Sequence, residues 1–329
     1  MDPLVSVIIG TRNRPQYLGE AIASALASTY KNIEVIVTDD EGPPENEKIV
    51  LAFRDSRLRY RRNRTSVGIG ANHLAAFKEI RGEYFAVLND DDRWSENFLE
   101  TLVSHLVHDN DLSIAFSDHY VIDAKGDIDA KGTEESTRRW RRDRLTPGVH
   151  KPFSRIGVLY KSVPMAVSTL VRTGSIDWTD FPPDVLYDFW LVYLACRNGH
   201  GAYYHSERLN YYREHNSNAT AAAPEYLSIA TISTYALLLR DTSLSEFHTI
   251  FRRDYAIAQR RLGMNLILQG RAPEARAHLL KAVRHGGPAR ASVAFTLSLL
   301  GRSLSAKSLQ LTQQLYRRTK SRMQAARPT

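Results

Sequence analysis

Two acidic clusters dominate the chemistry this 329-residue chain can carry. Asp39 and Asp40 close the run IEVIVTDD, and Asn89, Asp90, Asp91 and Asp92 close YFAVLNDDD. Each follows a short apolar stretch of the kind that forms a buried strand. In open α/β sheets, ligands bind beyond the carboxyl ends of the strands, where both clusters fall. Carboxylates this close together repel one another unless something cationic lies among them. A hard divalent cation held by oxygen ligands meets that need. Further along, PPDV holds Asp184 and YDFW holds Asp188, carboxylates of the kind that can serve as general bases. Both also suit the start of a helix, Asp184 as a cap and Asp188 through the helix dipole. The planar fork of Arg213 could contact a phosphate.

The elements that must position these residues follow from periodicity. Leu4–Ile9 reads as a buried strand, and Tyr17–Leu26 as a helix with Pro15 in its first turn. Strands follow at Ile33–Val37, Leu58–Arg61, Tyr84–Leu88 and Ser113–Phe116. Helices fall between them around Ile49–Phe53, after Gly68 and Gly70, and at Phe98–Leu106. This alternation predicts an α/β fold with a Rossmann-like, mainly parallel sheet flanked by helices. From about Pro224 the texture becomes helical, rich in Leu, Ala and Arg. A hairpin is expected over Tyr255–Gly287, turning at Gly270, with its second helix over Pro273–Val283. The expected organisation is therefore residues 1–222 as one domain and 223–329 as a C-terminal all-helical region.

Composition narrows the class. The chain is 43% hydrophobic and 24% charged, enough for a core and too balanced for wholesale disorder. The single cysteine, Cys196, excludes an internal disulfide framework and a Cys-rich zinc site. No run approaches the roughly 18 apolar residues of a membrane span. The opening MDPLVSVIIGTRNR does not read as a signal peptide, since its basic residues follow the apolar run. The expected location is cytoplasmic, or peripheral at the inner membrane face. Of the net charge of +8, Gly301–Thr329 supplies seven basic residues and no acid, so the preceding chain is near neutral. That tail suits an anionic membrane surface. A second basic cluster, RRWRRDR, spans Arg138–Arg144 around Trp140.

Four segments, in order, resemble the family 2 glycosyltransferases, an inverting family with the GT-A fold. They are SVIIGTRNRPQYLGEAIASALASTYKNIEVIVTDD, GIGANHLAAFKEIRGEYFAVLNDDDRW, YDFWLVYLACRNG and LNYYREHNSNAT, and the resemblance spans roughly residues 4–220. The resemblance implies that 1–222 is a nucleotide-sugar-binding catalytic domain. It implies that Asp39 accepts a hydrogen bond from the nucleotide base and that Asp40 lies near the ribose or metal. An acceptor-only carboxylate suits the ring N–H of uracil or thymine. Thr11, Arg12, Asn13, Asn72 and Asp90 complete the implied nucleotide-binding set. Asp91, Asp92 and His215 are the implied metal ligands, for Mn2+ or Mg2+. Asn89 stands where the family's motif usually begins with Asp, which lowers the site's charge by one. Gly10 and Arg12 also depart from the usual proline and aromatic. The base usually lies in a Glu-Asp pair, and here those positions read Val185 and Leu186. The base is therefore Asp188 or Asp184. Residues 123–161 fall where the family places acceptor-binding elaborations, and are expected to form a variable acceptor loop. Trp140 and Arg213 are candidates for phosphate or acceptor contact.

The resulting expectation is an inverting, metal-dependent glycosyltransferase. It would pass sugar from a UDP- or dTDP-sugar to an acceptor hydroxyl in cell-envelope polysaccharide or glycolipid synthesis. The acceptor would be a sugar, a lipid-linked glycan or a small molecule, and the helical region could support a homodimer. The alternatives are a secondary-metabolite glycosyltransferase and a non-catalytic nucleotide-sugar-binding protein. A nucleic-acid partner is not expected, because the charge excess is terminal and the body of the chain carries acidic clusters instead.

Overall fold

The first strand, β1 (Val5–Thr11), is buried along nearly its whole length, as a near-continuous apolar run in a parallel sheet should be. Its alternate residues Val5, Val7 and Ile9 share one core with Leu18, Ala21, Ile22 and Ala25 of α1 (Pro15–Leu26). Those four recur at i, i+3, i+4 and i+7, the stripe that one helix face presents. Burying a Leu or Ile in that stripe contributes about 1.5–3 kcal/mol each. The computed structural model describes residues 2–215, 224–286 and 290–299.

The chain divides into two compact units, 1–218 and 219–329. In the first, β1 is flanked in parallel by β2 (Ile33–Asp39) and β4 (Tyr84–Asn89), and β3 (Leu58–Arg62) extends the sheet beyond β2. Helices α2 (Pro44–Ala52), α3 (Ile69–Phe77) and α4 (Phe98–His108) fall between and after these strands. The register aligns the strand ends. Gly10 lies opposite Thr38 on one side and Asn89 on the other, and Thr11 lies opposite Asp39. Both acidic runs thus leave the sheet side by side, on either side of β1.

The far half of the sheet is mixed. Beyond β4 come β8 (Thr169–Arg172), antiparallel to both neighbours, then β6 (Leu112–Ile122), then β9 (Gly201–Arg213) parallel to β6. The short strands β5 (Arg93–Trp94) and β7 (Gly148–His150) pair antiparallel with β9. The tyrosine-rich run at 203–212 therefore belongs to a strand. That strand carries the chain from solvent back to the acidic motif, because Arg93 of β5 pairs with Tyr211. A short helix, α6 (Met165–Ser168), leads into β8, and helix α7 (Tyr187–Arg197) precedes β9.

Residues 123–161, expected as a loop, are folded. They hold α5 (Ala130–Arg139), capped by the Asp129 side chain, together with a 3-10 turn over Arg142–Arg144, strand β7 and a π-helical turn over Arg155–Leu159. The basic cluster is correspondingly divided in its roles. Arg142 is 2% exposed and its Nε–H donates to Asp118 Oδ1 of β6 at 2.6 Å. Burial is opposed by that guanidinium and by the Thr137 hydroxyl, and Asp118 is held below the ordinary carboxylate range. Arg139 lies over the Trp140 ring and Arg141 over Tyr160. Arg142 is thus a buried anchor for the segment, not a surface contact for an acceptor.

The second unit is helical, with helices Pro224–Leu238, His248–Leu268, Ala272–Arg284 and Arg290–Ser298. The middle two form the expected hairpin. Gly270 makes its turn at φ +78°, a conformation open to glycine. Leu262, Leu266, Ala275, Leu279 and Ala294 form the unit's core. The basic stretch 301–329 lies outside the described residues. No helix among the described residues is long and apolar enough to cross a membrane.

Candidate active site

The segment leaving β1 carries Thr11, Arg12, Asn13 and Arg14 across the top of the sheet. The Thr11 hydroxyl donates to Asp90 Oδ2 at 2.6 Å, and the Thr11 carbonyl accepts the Asp40 N–H at 2.9 Å. One residue therefore links the two acidic runs. Arg12 and Asn13 are exposed.

Asp39 and Asp40 are both buried, and both organise loops. Asp39 accepts from the Gly42 N–H at 2.6 Å, the Tyr60 hydroxyl at 2.8 Å and the Asn46 amide at 3.1 Å. A carboxylate has about four acceptor positions, and these contacts take three of them. Asp40 accepts from the Val67 and Gly68 N–H groups, the Ser66 hydroxyl and the Asn63 amide. Burial alone would raise its pKa; these hydrogen bonds together bring it below the ordinary range. Asn72 braces the same wall, donating to the Thr38 carbonyl at 2.9 Å and accepting from the Thr38 hydroxyl at 2.7 Å.

The motif after β4 is held from several directions. Asn89 donates its amide to Asp92 Oδ2 at 2.7 Å, so the neutral residue satisfies an acid where a carboxylate would repel one. Arg213 donates its main-chain N–H to Asp92 Oδ1 at 2.8 Å, and its Nε–H to the Asp91 carbonyl at 2.7 Å. Its Nη2 pairs with Glu20 of α1 at 2.6 Å, and its guanidinium lies over the Tyr17 ring. Arg213 is 1% exposed and committed to these groups, so the phosphate contact expected of it gives way to a positioning role. It fixes the end of β9 against the motif. Two residues on, His215 places Nε2 3.0 Å from Asp91 Oδ2, with its ring beside Tyr17.

A guanidinium that the sequence reading passed over completes the motif. Arg14 contacts Asp90 Oδ1 at 2.5 Å and also pairs with Asp91 Oδ2. Burial pushes Asp90 up to about 7, with Asp91 adding to the shift and Arg14 opposing it. Asp92 is pushed well above the ordinary carboxylate range by burial and by Asp91. The need for a cation among these acids was legible in the sequence; which cation supplied it was not.

Helix α7 reaches this region through an aromatic contact. His73 of α3 stacks on Tyr187 at 4.0 Å and 14° between planes. A Cβ at Gly10 would lie 2.5 Å from His73 Cε1. The glycine that departs from the family's usual proline thus makes room for a buried imidazole. Burial lowers that imidazole's pKa to about 4, so it is neutral. Asp188, next to Tyr187, is half-buried and accepts the Phe189 N–H at 2.8 Å. Burial raises its pKa. Asp184 is exposed. Trp140 stands at the end of α5, against Arg139.

A metal would find few donors on the chain itself. Among the described residues, no group of three or more His, Cys, Asp or Glu side chains is arranged to hold one. Asp91 Oδ2 and His215 Nε2 nevertheless converge on each other. A carboxylate plus an imidazole, completed by diphosphate oxygens and water, is a donor set that Mg2+ or Mn2+ accepts. The residues present therefore fit a cation shared with a substrate.

Residues 6–161 match the family model "Glycosyl transferase family 2". An uncharacterized glycosyltransferase of Rickettsia typhi is 38% identical over 124 residues, covering 37% of this chain and 38% of that protein. The Escherichia coli UDP-Glc:alpha-D-GlcNAc-diphosphoundecaprenol beta-1,3-glucosyltransferase WfgD is 32% identical over 121 residues, 37% of this chain and 47% of that one. The matched stretch thus spans less than half the length of either relative. Among solved structures, S. aureus TarS 1-349 in complex with UDP-GlcNAc superposes with a TM-score of 0.63 at 16% identity, over 96% of this chain and 92% of that one. The mannosyltransferase PcManGT from Pyrobaculum calidifontis, in complex with GDP-Man and Mn2+, gives 0.54 at 16%, over 94% and 85%. At these identities the structural likeness speaks for the fold. Sequence and architecture agree: residues 6–161 match glycosyltransferase family 2, and the fold is the GT-A fold of the solved glycosyltransferases.

Proposed function

We propose that this chain is an inverting, metal-dependent glycosyltransferase that passes a sugar from a UDP- or dTDP-sugar to an acceptor hydroxyl. The observation that carries this reading is the linkage of both acidic runs through Thr11, with His215 brought onto Asp91 from the far end of the sheet. A carboxylate–imidazole pair suits a cation shared with a diphosphate. The relatives named above support a nucleotide-sugar donor and a lipid-linked, cell-envelope acceptor.

Each residue then has a task. Asp39 keeps an acceptor position for a pyrimidine ring N–H while it holds the Gly42 turn. Asp40, Asn63 and Asn72 keep the pocket wall rigid. Asp91 and His215 would hold Mn2+ or Mg2+, which when bound would neutralise the charge growing on the departing diphosphate. Asp188 takes the proton of the attacking hydroxyl; its raised pKa suits a base that must hold that proton. Attack opposite the leaving group inverts the anomeric centre. Asp184 is exposed and does not cap the helix, whose N-cap is Leu186, so it is not assigned the base. The two units and the basic tail fit an enzyme working at an anionic membrane surface, as a monomer or a homodimer.

The test is thermal stabilisation by UDP, dTDP, GDP, CDP and ADP, each with and without Mn2+. Stabilisation by UDP or dTDP, enhanced by Mn2+ and reduced in Asp91→Ala, is expected, because a ligand that binds only the folded state raises the melting temperature. A preference for a purine diphosphate, or stabilisation indifferent to both metal and Asp91, would overturn the reading.

A further inference from the structure

Arg14 supplies positive charge inside the acidic motif. Its guanidinium bridges two carboxylates, reaching Asp90 Oδ1 at 2.5 Å and also Asp91 Oδ2. Asp91 Oδ2 is also the oxygen that meets His215 Nε2. The atom best placed to ligate a metal is therefore already in contact with a fixed positive charge. Metal and guanidinium would repel each other at such range, so they compete for it.

We propose that Arg14 is a resident cation that stands in for the metal in the unliganded protein and yields Asp91 when the metal arrives with the donor's diphosphate. The inference rests on the metal-dependent reading above. Three observations carry it. First, three consecutive carboxylates sit at 5% exposure or less, and without a counter-charge they would repel one another. Second, the two contacts of Arg14 are unequal. Asp90 is fully buried and also held by Thr11, whereas Asp91 lies nearer solvent and faces His215. The guanidinium can keep Asp90 and release Asp91. Third, Arg14 is itself 19% exposed and stands at the entry to α1, just before Pro15. Its long side chain can thus turn outward while the helix stays fixed.

The released half of the fork has a partner waiting. A diphosphate brought in with the metal presents oxygens that a planar guanidinium grips well. Metal entry and diphosphate binding then favour one another. Metal alone must displace Arg14 without compensation, whereas metal with diphosphate gives Arg14 a new anion. The expected signature is positive coupling between Mn2+ and UDP that depends on residue 14.

The experiment measures Mn2+ binding from the electron paramagnetic resonance signal of free Mn2+, with and without UDP, for the full-length wild type, Arg14→Gln and Arg14→Lys. Melting temperature with and without Mn2+ gives the second readout. In Arg14→Gln, Mn2+ alone should bind about tenfold more tightly than in the wild type, within the usual range of coupling between sites, and UDP should improve it less. Mn2+ should also raise the melting temperature of Arg14→Gln more than that of the wild type, because it restores the missing charge. Arg14→Lys keeps a charge without the fork and should fall between the two. It serves as the working variant if Arg14→Gln does not fold. If the wild type binds Mn2+ with UDP but neither variant gains affinity for Mn2+ alone, Arg14 does not compete with the metal and the inference fails. If the wild type binds no Mn2+ even with UDP, the metal-dependent reading itself fails.

Discussion

Replacing Gly10 with alanine should damage this protein out of proportion to one methyl group. The added Cβ would lie 2.5 Å from His73 Cε1 and 2.6 Å from Nε2. Carbon atoms prefer about 3.5–4.0 Å, so the overlap is about 1 Å. The ring cannot retreat easily. It is 5% exposed, its Nδ1 meets the Ile69 carbonyl at 2.8 Å, and its far face lies on Tyr187. Overpacking of this kind costs about 1–3 kcal/mol. At roughly 2–4 °C per kcal/mol for a unit of this size, the melting temperature should fall by about 2–12 °C. A cycle with His73→Ala isolates the cause. That change alone leaves a cavity, but in its presence the alanine at position 10 has room. The double variant should therefore lose at least about 1 kcal/mol less than the two single losses added together. Differential scanning calorimetry of the four proteins supplies the numbers. Strict additivity, or a Gly10→Ala protein as stable as the wild type, would refute the packing account. A functional arm follows from Tyr187 standing next to Asp188. If the displaced ring pushes α7, kcat should fall while stabilisation by UDP persists.

Asp188→Asn should lower kcat by about 100-fold or more if Asp188 is the base, with nucleotide binding retained, whereas Asp184→Asn should leave kcat nearly unchanged. Because burial raises the Asp188 pKa, and the base must be deprotonated to act, activity should increase with pH through a midpoint above the ordinary 3.8. A pH–rate profile of kcat/KM whose acid limb lies at or below that value would remove Asp188 from the role. Arg142→Met should destabilise the first unit by about 3 kcal/mol, since it leaves the buried Asp118 carboxylate with only the more distant Arg208 as a counter-charge. Asp118→Asn in the same chain should recover much of the loss, as thermal melts of the single and double variants would reveal. Asn89→Asp should be destabilising, because the amide that donates to Asp92 becomes a third neighbour of like charge. Mn2+ should reverse part of that loss if the site takes a metal.

The sheet was largely legible because its signals are local. The run Leu4–Ile9 is apolar enough to announce a strand, Pro15 marks a helix start, and both acidic clusters fall where strands end. The later strands were harder. β8 and β9 depend on pairing with residues far along the chain, which no local pattern announces. The segment 123–161 looked like a loop for a related reason. Its order depends on Arg142 reaching Asp118, and an arginine in a basic cluster carries no sign of burial.

The sequence by itself determined the alternation of elements, the placing of carboxylates at the ends of two neighbouring strands, and the demand for positive charge among them. These follow from periodicity and from Coulomb repulsion between adjacent residues, which the order of residues alone encodes. Only the tertiary structure decided how that demand is met. Arg14 reaches Asp91 across 77 residues, His215 reaches it across 124, and Arg213 reaches Glu20 across 193. Such pairings depend on register, on where the chain returns to the sheet and on what space a glycine leaves open. They are properties of packing, which becomes defined only when distant segments share one core.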